Sequence, residues 1–155
     1  MESVKYIKGD ATKPVSSGNK IIVHVCNDIG GWGRGFVLAL SARWQKPEQE
    51  YRRWFQSKEN FVLGEVQFVK VEDDTWVANM IGQRDVKDKD GVPPVRYEAI
   101  AKALQKVAVF AAEKNASVHM PRIGCGLAGG TWDKMEPIII QELINRNIPV
   151  TVYDL

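Results

Sequence analysis

Two glycine-rich stretches each follow a short apolar run and precede a helical pattern. The first is Asn27-Asp28-Ile29-Gly30-Gly31-Trp32-Gly33-Arg34-Gly35, after Ile21-Ile22-Val23-His24-Val25-Cys26. The second is Met120 to Trp132, M-P-R-I-G-C-G-L-A-G-G-T-W, after Ser117-Val118-His119. Glycine costs conformational entropy, so such clusters need positive φ angles or an absent Cβ where something approaches closely. Backbone N–H groups converging at a helix start favour an anion, and a phosphate or diphosphate is the natural guest.

The surrounding pattern predicts strands alternating with helices. Val4–Lys8 reads as a strand, and Ile21–Cys26 as a central strand covered on both faces. Phe36–Trp44 and Pro47–Lys58 read as helices, the second opened by a tolerated proline. Phe61–Val71 and Thr75–Ile81 predict a hairpin, followed by a polar loop over Gly82–Pro94. Tyr97–Asn115 is an amphipathic helix, Val118–Pro121 a strand, Asp133–Arg146 a helix and Val150–Tyr153 a final strand. This order defines a layered α/β domain, and ligands of open α/β sheets bind beyond the carboxyl ends of the strands. Both glycine-rich loops therefore point to one cleft.

Composition narrows the function classes. The 155 residues suit a single domain, 1–155, with 45% hydrophobic and 26% charged residues. Twenty-one basic and nineteen acidic residues leave a formal charge of +2, too little for a nucleic-acid or membrane partner on bulk electrostatics. Arg43, Lys46, Arg52 and Arg53 form a basic cluster that a solvated helix face explains. Cys26 and Cys125 make neither a disulfide framework nor a metal site, and no cluster has ligand spacing, so no metal or cofactor is expected. No apolar run reaches a membrane span and the amino terminus lacks a signal-peptide pattern, so a cytoplasmic location is expected.

Four pieces together resemble a macrodomain, the ADP-ribose-binding module: Gly9-Asp10, the loop Asn27–Gly35, Asn79–Gln83 at a strand end, and Arg122–Trp132. The sharpest part, P-R-I-G-C-G-L followed by a tryptophan, is similar to the branch with the terminal ADP-ribose glycohydrolase and the yeast-type ADP-ribose-1″-phosphate phosphatase. The resemblance covers essentially the whole chain. It implies a three-layer fold, a mixed central β-sheet flanked by helices. It also implies that Asp10, with Ala11, meets adenine, and that Asn27 bonds a distal-ribose hydroxyl. Gly33, Arg34, Gly35 and Phe36 would pass beneath the diphosphate, with Ile123, Gly124, Cys125, Gly126 and Leu127 as the second clamp.

The chain departs from the glycohydrolase, which carries a lysine before the mobile loop and an aspartate after the G-C-G-L segment. Here those regions read Gly82-Gln83-Arg84 and Ala128. Lys87 and Lys89 lie further along the loop. Asp28 and Asp85 are then candidates to polarise a water, with Asn27 and Gln83 orienting the sugar or leaving group. Cys125 reads as a small filler rather than a nucleophile, Trp132 as loop packing, and His24 and His119 as satisfied interior histidines.

Three functions are consistent with this sequence. One is hydrolysis of an ADP-ribose derivative, either ADP-ribose-1″-phosphate or an ADP-ribosylated macromolecule, nucleic acid entering only as a modified substrate. Another is a non-catalytic ADP-ribose reader, which the missing lysine and Ala128 favour and the expected lack of a further domain slightly disfavours, so that it ranks close behind. The third is a nucleic-acid binder using the basic cluster. Oligomeric state is not written in the sequence.

Overall fold

The strand Lys20–Asn27 (β2) is buried along almost its whole length, with side chains alternating between two cores. Ile21 and Val23 face one core, Ile22 and Cys26 the other, as the two-residue period of a strand requires. In the computed structural model, which describes residues 3–86 and 90–155, β2 is a central strand of a six-stranded sheet. The other strands are Lys5–Lys8 (β1), Val66–Glu72 (β3), Thr75–Gln83 (β4), Ser117–Met120 (β5) and Val150–Asp154 (β6), in the spatial order β1-β6-β5-β2-β4-β3. Every neighbouring pair is parallel except β3–β4, so the sheet is mixed.

Helices Phe36–Arg43 (α1) and Lys46–Ser57 (α2) cover one face through Val37, Leu40 and Tyr51. Helices Tyr97–Lys114 (α3) and Trp132–Glu142 (α4) cover the other through Ile100, Leu104, Val107, Met135 and Ile139. The result is three layers around two cores. Five parallel strands end along one edge, where the loops after β2, β4 and β5 emerge.

Three boundaries differ from the sequence expectation. The predicted strand Phe61–Val71 begins only at Val66. Phe61 instead packs its ring against Tyr51, Trp54 and Phe55 at centroid distances of 5.6, 5.1 and 5.2 Å, so its apolar character serves the α2 core. Strand β4 runs on to Gln83, and Arg84 N donates to Pro94 O (2.8 Å) while Arg96 N donates to Gly82 O (2.8 Å). The loop predicted from Gly82 is thus stapled at its stem. The helix predicted to Arg146 stops at Glu142, and a 3-10 turn spans Ile144–Arg146. Lys87 and Lys89 lie outside the described residues.

Candidate functional site

After β2, the Asn27 side chain shapes the loop. Its Oδ1 accepts from Ile29 N (3.1 Å) and Gly31 N (2.9 Å), and its Nδ2 donates to Gly31 O (2.9 Å). Tyr51 OH donates to Asn27 O at 2.7 Å and lies 3.0 Å from Oδ1. This folded-back asparagine turn delivers the chain into α1, whose start has no side-chain cap and no acidic residue in its first turn. The leading N–H groups of that helix are therefore open to an anion. Arg34, just before it, makes no ion pair among the described residues.

After β5, Arg122 borders the first half of the cleft and commits its guanidinium to a bidentate pair with Asp154 (2.8 and 3.0 Å). Its guanidinium also stacks between Tyr6 and Trp132, 5.1 and 5.0 Å from their ring centroids. Trp132 thus packs the loop against the sheet edge, as expected. Gly130 N donates to Gly124 O (2.8 Å), which pulls the loop into a tight arch. At the crown of that arch Gly126 has φ +66° and, among the described residues, nothing within 4 Å of where a Cβ would stand. A backbone so bare at its outermost point lets a ligand come very close.

Between the two loops lie two cavities of about 340 and 360 Å³ that share Val25, Arg34, Val37, Gln83 and Leu127 in their walls. They are the two halves of one cleft. The first half is bounded by Gly35, Phe36 and the arch Ile123–Leu127, the second by Asn27, Trp32, Gly33 and Val86. Their combined size suits a nucleotide-sized guest. A larger hollow of about 710 Å³ beside the start of α3, next to Val92, Tyr97 and Lys102, involves none of the predicted site residues.

The structure brings together Asn27, Gly33, Arg34, Gly35, Phe36, Gln83, Ile123, Gly124, Cys125, Gly126 and Leu127 around this cleft. Asp10, Ala11 and Asp28 stand outside its lining. Asp10 Oδ1 accepts from Thr12 N (2.8 Å) and Thr12 Oγ1 (2.7 Å), and Ala11 is buried. Partial burial pushes the Asp10 carboxyl up, but the Thr12 bonds, with Lys13 and Arg43 nearby, hold it below the usual range. It is an anion with its Oδ2 making no hydrogen bond among the described residues.

Two of the predicted catalytic groups are already occupied. Asn27 spends its amide on the loop while it also stands in the wall of the second half of the cleft. Asp28 Oδ1 accepts from Asp85 N (2.7 Å), which makes it a support for the next loop rather than a wall of the cleft. Gln83 keeps its place in both halves, and its Nε2 donates to Asp85 O (2.9 Å). Asp85 is thus held at both backbone ends, in a left-handed conformation at φ +60°. A non-glycine residue there is uncommon and is kept only by surrounding structure.

Cys125 is half-buried, and burial pushes its thiol up, with Arg122 lowering it and Asp133 raising it. A thiol so protonated is no nucleophile at neutral pH, in keeping with its reading as a filler. His24, expected as a satisfied interior histidine, is buried but not satisfied: it borders the first half of the cleft and its Nδ1 has no hydrogen-bond partner among the described residues. Its imidazole is held down to about 4 by burial, only partly opposed by the hydrogen bond with Asn79. The alternation of β2 places it on the α1 face, three residues before the loop, and that was the available signal. His119 is the satisfied interior histidine expected, bonded to Tyr153, Ser117 and Ser16.

A mixed sheet whose parallel strands end on two glycine-rich loops, with a cleft between them, defines a three-layer α/β domain of the open-sheet kind. The comparisons place it more closely. A macrodomain protein from Streptomyces coelicolor is 57% identical, covers 99% of both chains and superposes with a TM-score of 0.89. This chain therefore belongs to the macrodomain family. A Bacteroides thetaiotaomicron protein of unknown function is 61% identical over 99% of this chain and 98% of that one, with a TM-score of 0.97. Among curated relatives, the ADP-ribose 1″-phosphate phosphatase of Lodderomyces elongisporus is 27% identical over 88% of this chain and 91% of its own. The mouse chromodomain-helicase-DNA-binding protein 1-like is 32% identical over 97% of this chain, which spans only 18% of that protein's length. No family model matches the chain.

Proposed function

We propose that the whole chain is one macrodomain that binds ADP-ribose across the two loops and hydrolyses an ADP-ribose derivative. The carrying observation is the uncapped start of α1 facing the bare crown at Gly126, with Arg34 at the junction of the two halves. That arrangement offers backbone donors and one cation to a diphosphate while leaving it room. The adenosine end would lie toward Asp10 and Ala11, and the distal ribose in the half under Asn27 and Val86. The curated phosphatase relative supports ADP-ribose-1″-phosphate as the substrate, with an ADP-ribosylated macromolecule as the other derivative to be tested.

For chemistry the best-placed carboxylate is Asp85, which stands next to the lining residue Val86; its Oδ1 accepts from Val86 N (2.6 Å), so Oδ2 is the oxygen that would act. Asp28 and Gln83 fix its backbone beside Val86, at the mouth of the distal half, where it would orient a water toward the anomeric carbon or its phosphate. The lysine–aspartate route has no counterpart at Gln83, Arg84 or Ala128. A second reading, an ADP-ribose reader without chemistry, is favoured by the absence of any carboxylate or lysine from the cleft lining among the described residues. Nucleic acid as a direct partner loses ground, because Arg43, Arg52 and Arg53 each pair with a glutamate. Among the described residues no helix is long and apolar enough to cross a membrane.

Turnover of ADP-ribose-1″-phosphate and of ADP-ribosylated protein separates these readings. Asp85→Asn should lower kcat at least about a hundredfold, with ADP-ribose affinity held within about twofold. Unchanged turnover removes Asp85 from the mechanism. Tight binding by the wild type with no turnover of either substrate makes the protein a reader.

A further inference from the structure

The hollow of about 710 Å³ beside the start of α3 is larger than either half of the cleft and shares no lining residue with them. Its apolar surface comes from Leu63, Val92, Pro93, Val95 and Ala99. The segment that supplies most of it is held at several points. Arg84 N donates to Pro94 O and Arg96 N to Gly82 O, both at 2.8 Å, which ties it to the end of β4. Val95 N donates to Ala128 O (3.0 Å), which ties it to the back of the arch. The Arg96 guanidinium turns onto the carbonyls of Pro94 and Val95 (3.1 and 3.0 Å), and the two prolines restrict the same turn. A wall fixed in this way needs little ordering when a guest arrives.

The sides of the hollow carry charge. Lys102 of α3 and Lys134 of α4 both line it, and neither makes an ion pair among the described residues. Lys106, one turn further along α3, is by contrast paired with Glu65. The Lys102 stem lies across Gly64, where a Cβ would stand 2.7 Å from Lys102 Cδ, so its methylenes cover backbone while its ammonium stays free. Glu98 is the one carboxylate in the lining, against these two ammonium groups and the Arg96 guanidinium, which leaves the walls net positive. The start of α3 has no side-chain cap and adds partial positive charge on the same side. An inorganic anion would leave the apolar floor wet, and a neutral hydrocarbon would gain nothing from the lysines.

We propose that this hollow is a second ligand site, and that it takes an organic monocarboxylate with an aliphatic or aromatic body. The carboxylate lies toward Lys102 and Lys134, and the body covers Val92, Pro93 and Ala99. A single negative charge suits the site, because Glu98 stands in the same lining and repels a second. The volume matches a small-molecule guest. This site goes beyond the ADP-ribose reading of the cleft and does not depend on it.

The test titrates the intact protein, labelled with nitrogen-15, with octanoate and follows its backbone amides. Octanamide supplies the same body without the charge, and acetate the charge without the body. Octanoate should give saturable shifts centred on Ala99, Lys102 and Lys134, with octanamide and acetate each at least about tenfold weaker. Shifts that do not saturate overturn the proposal. Octanamide binding as well as octanoate makes the hollow merely apolar, and acetate binding as well makes it merely charged; each result overturns it. Shifts centred on Gly33–Phe36 and Gly124–Leu127 would put the ligand in the cleft and likewise overturn it. A double variant, Lys102→Gln with Lys134→Gln, changes two exposed side chains and should keep the wild-type thermal unfolding. It should weaken octanoate at least about tenfold and leave ADP-ribose affinity within about twofold. Unchanged octanoate affinity in that variant removes the lysines from the site. Failure of ADP-ribose to bind the wild type, with octanoate still bound at the hollow, strikes the cleft reading alone.

Discussion

The loop after β2 is held in shape by one side chain, whereas the loop after β5 is held by the places where no side chain fits. Asn27 clasps Ile29 and Gly31 and is itself clasped by Tyr51. Across the cleft, a Cβ on Gly124 would stand 2.5 Å from Met135 Cε at φ +73°, and one on Gly130 would stand 2.3 Å from Gly124 O. Those two glycines serve packing. Among the described residues Gly126 and Gly33 have nothing within 4 Å of their Cβ positions, and they border the space a ligand would use. A glycine-rich run therefore superimposes two signals, one for closing the loop and one for leaving room, and only the neighbours of each absent Cβ separate them.

That separation predicts opposite outcomes for two substitutions. Gly33→Glu puts a carboxylate in open space at a position without a positive φ, so folding should be nearly unaffected. ADP-ribose affinity should fall at least about a hundredfold, since a like charge in a cleft costs several kcal/mol. Paired thermal unfolding and calorimetry check it, and retained affinity would mean the diphosphate does not pass there. Gly124→Ala should do the reverse to the scaffold, costing about 2–4 kcal/mol in urea unfolding through left-handed strain and overpacking against Met135. A variant as stable as the wild type would remove the distinction between the two kinds of glycine.

The comparison continues into the strands, through His24 on β2 and His119 on β5. Burial depresses both to about 4, and Lys20 adds to the effect at His119. The unfolded chain titrates near 6.5, so between 6.5 and 4 it binds more protons than the folded one, and stability falls as pH falls through that window. By pH 5.5 the loss should be about 1 kcal/mol for each histidine relative to pH 7. Urea unfolding across this range checks the slope. ADP-ribose should not change His119's share, because that ring is satisfied without a ligand.

Much of the architecture was legible because strand and helix periods are local. The nearly continuous apolar run Ile21–Cys26 and the spacing of Ile100, Leu104, Val107 and Ala111 each announce their element without knowledge of the rest. Phe61 misled because an aromatic that packs under α2 looks the same in sequence as one in a strand. The cleft was legible at its two loops, where strand, glycine and helix follow one another in the chain. Its remaining features depend on contacts between distant segments. That Asn27 and Asp28 also hold their loops shows only in the positions of Gly31, Tyr51 and Asp85. The single hydrogen bond of His24 depends on the direction of an amide on Asn79, itself set by Pro47 and Gln67, and no spacing rule carries that information.

The most direct test of the two-loop cleft is calorimetric titration with ADP-ribose beside ADP and AMP. Tight ADP-ribose binding, weakened sharply in ADP and further in AMP, is what a diphosphate clamped between Arg34–Phe36 and Gly124–Leu127 predicts, with the distal ribose seated under Asn27. Equal affinity for all three, or no heat with ADP-ribose, would contradict it.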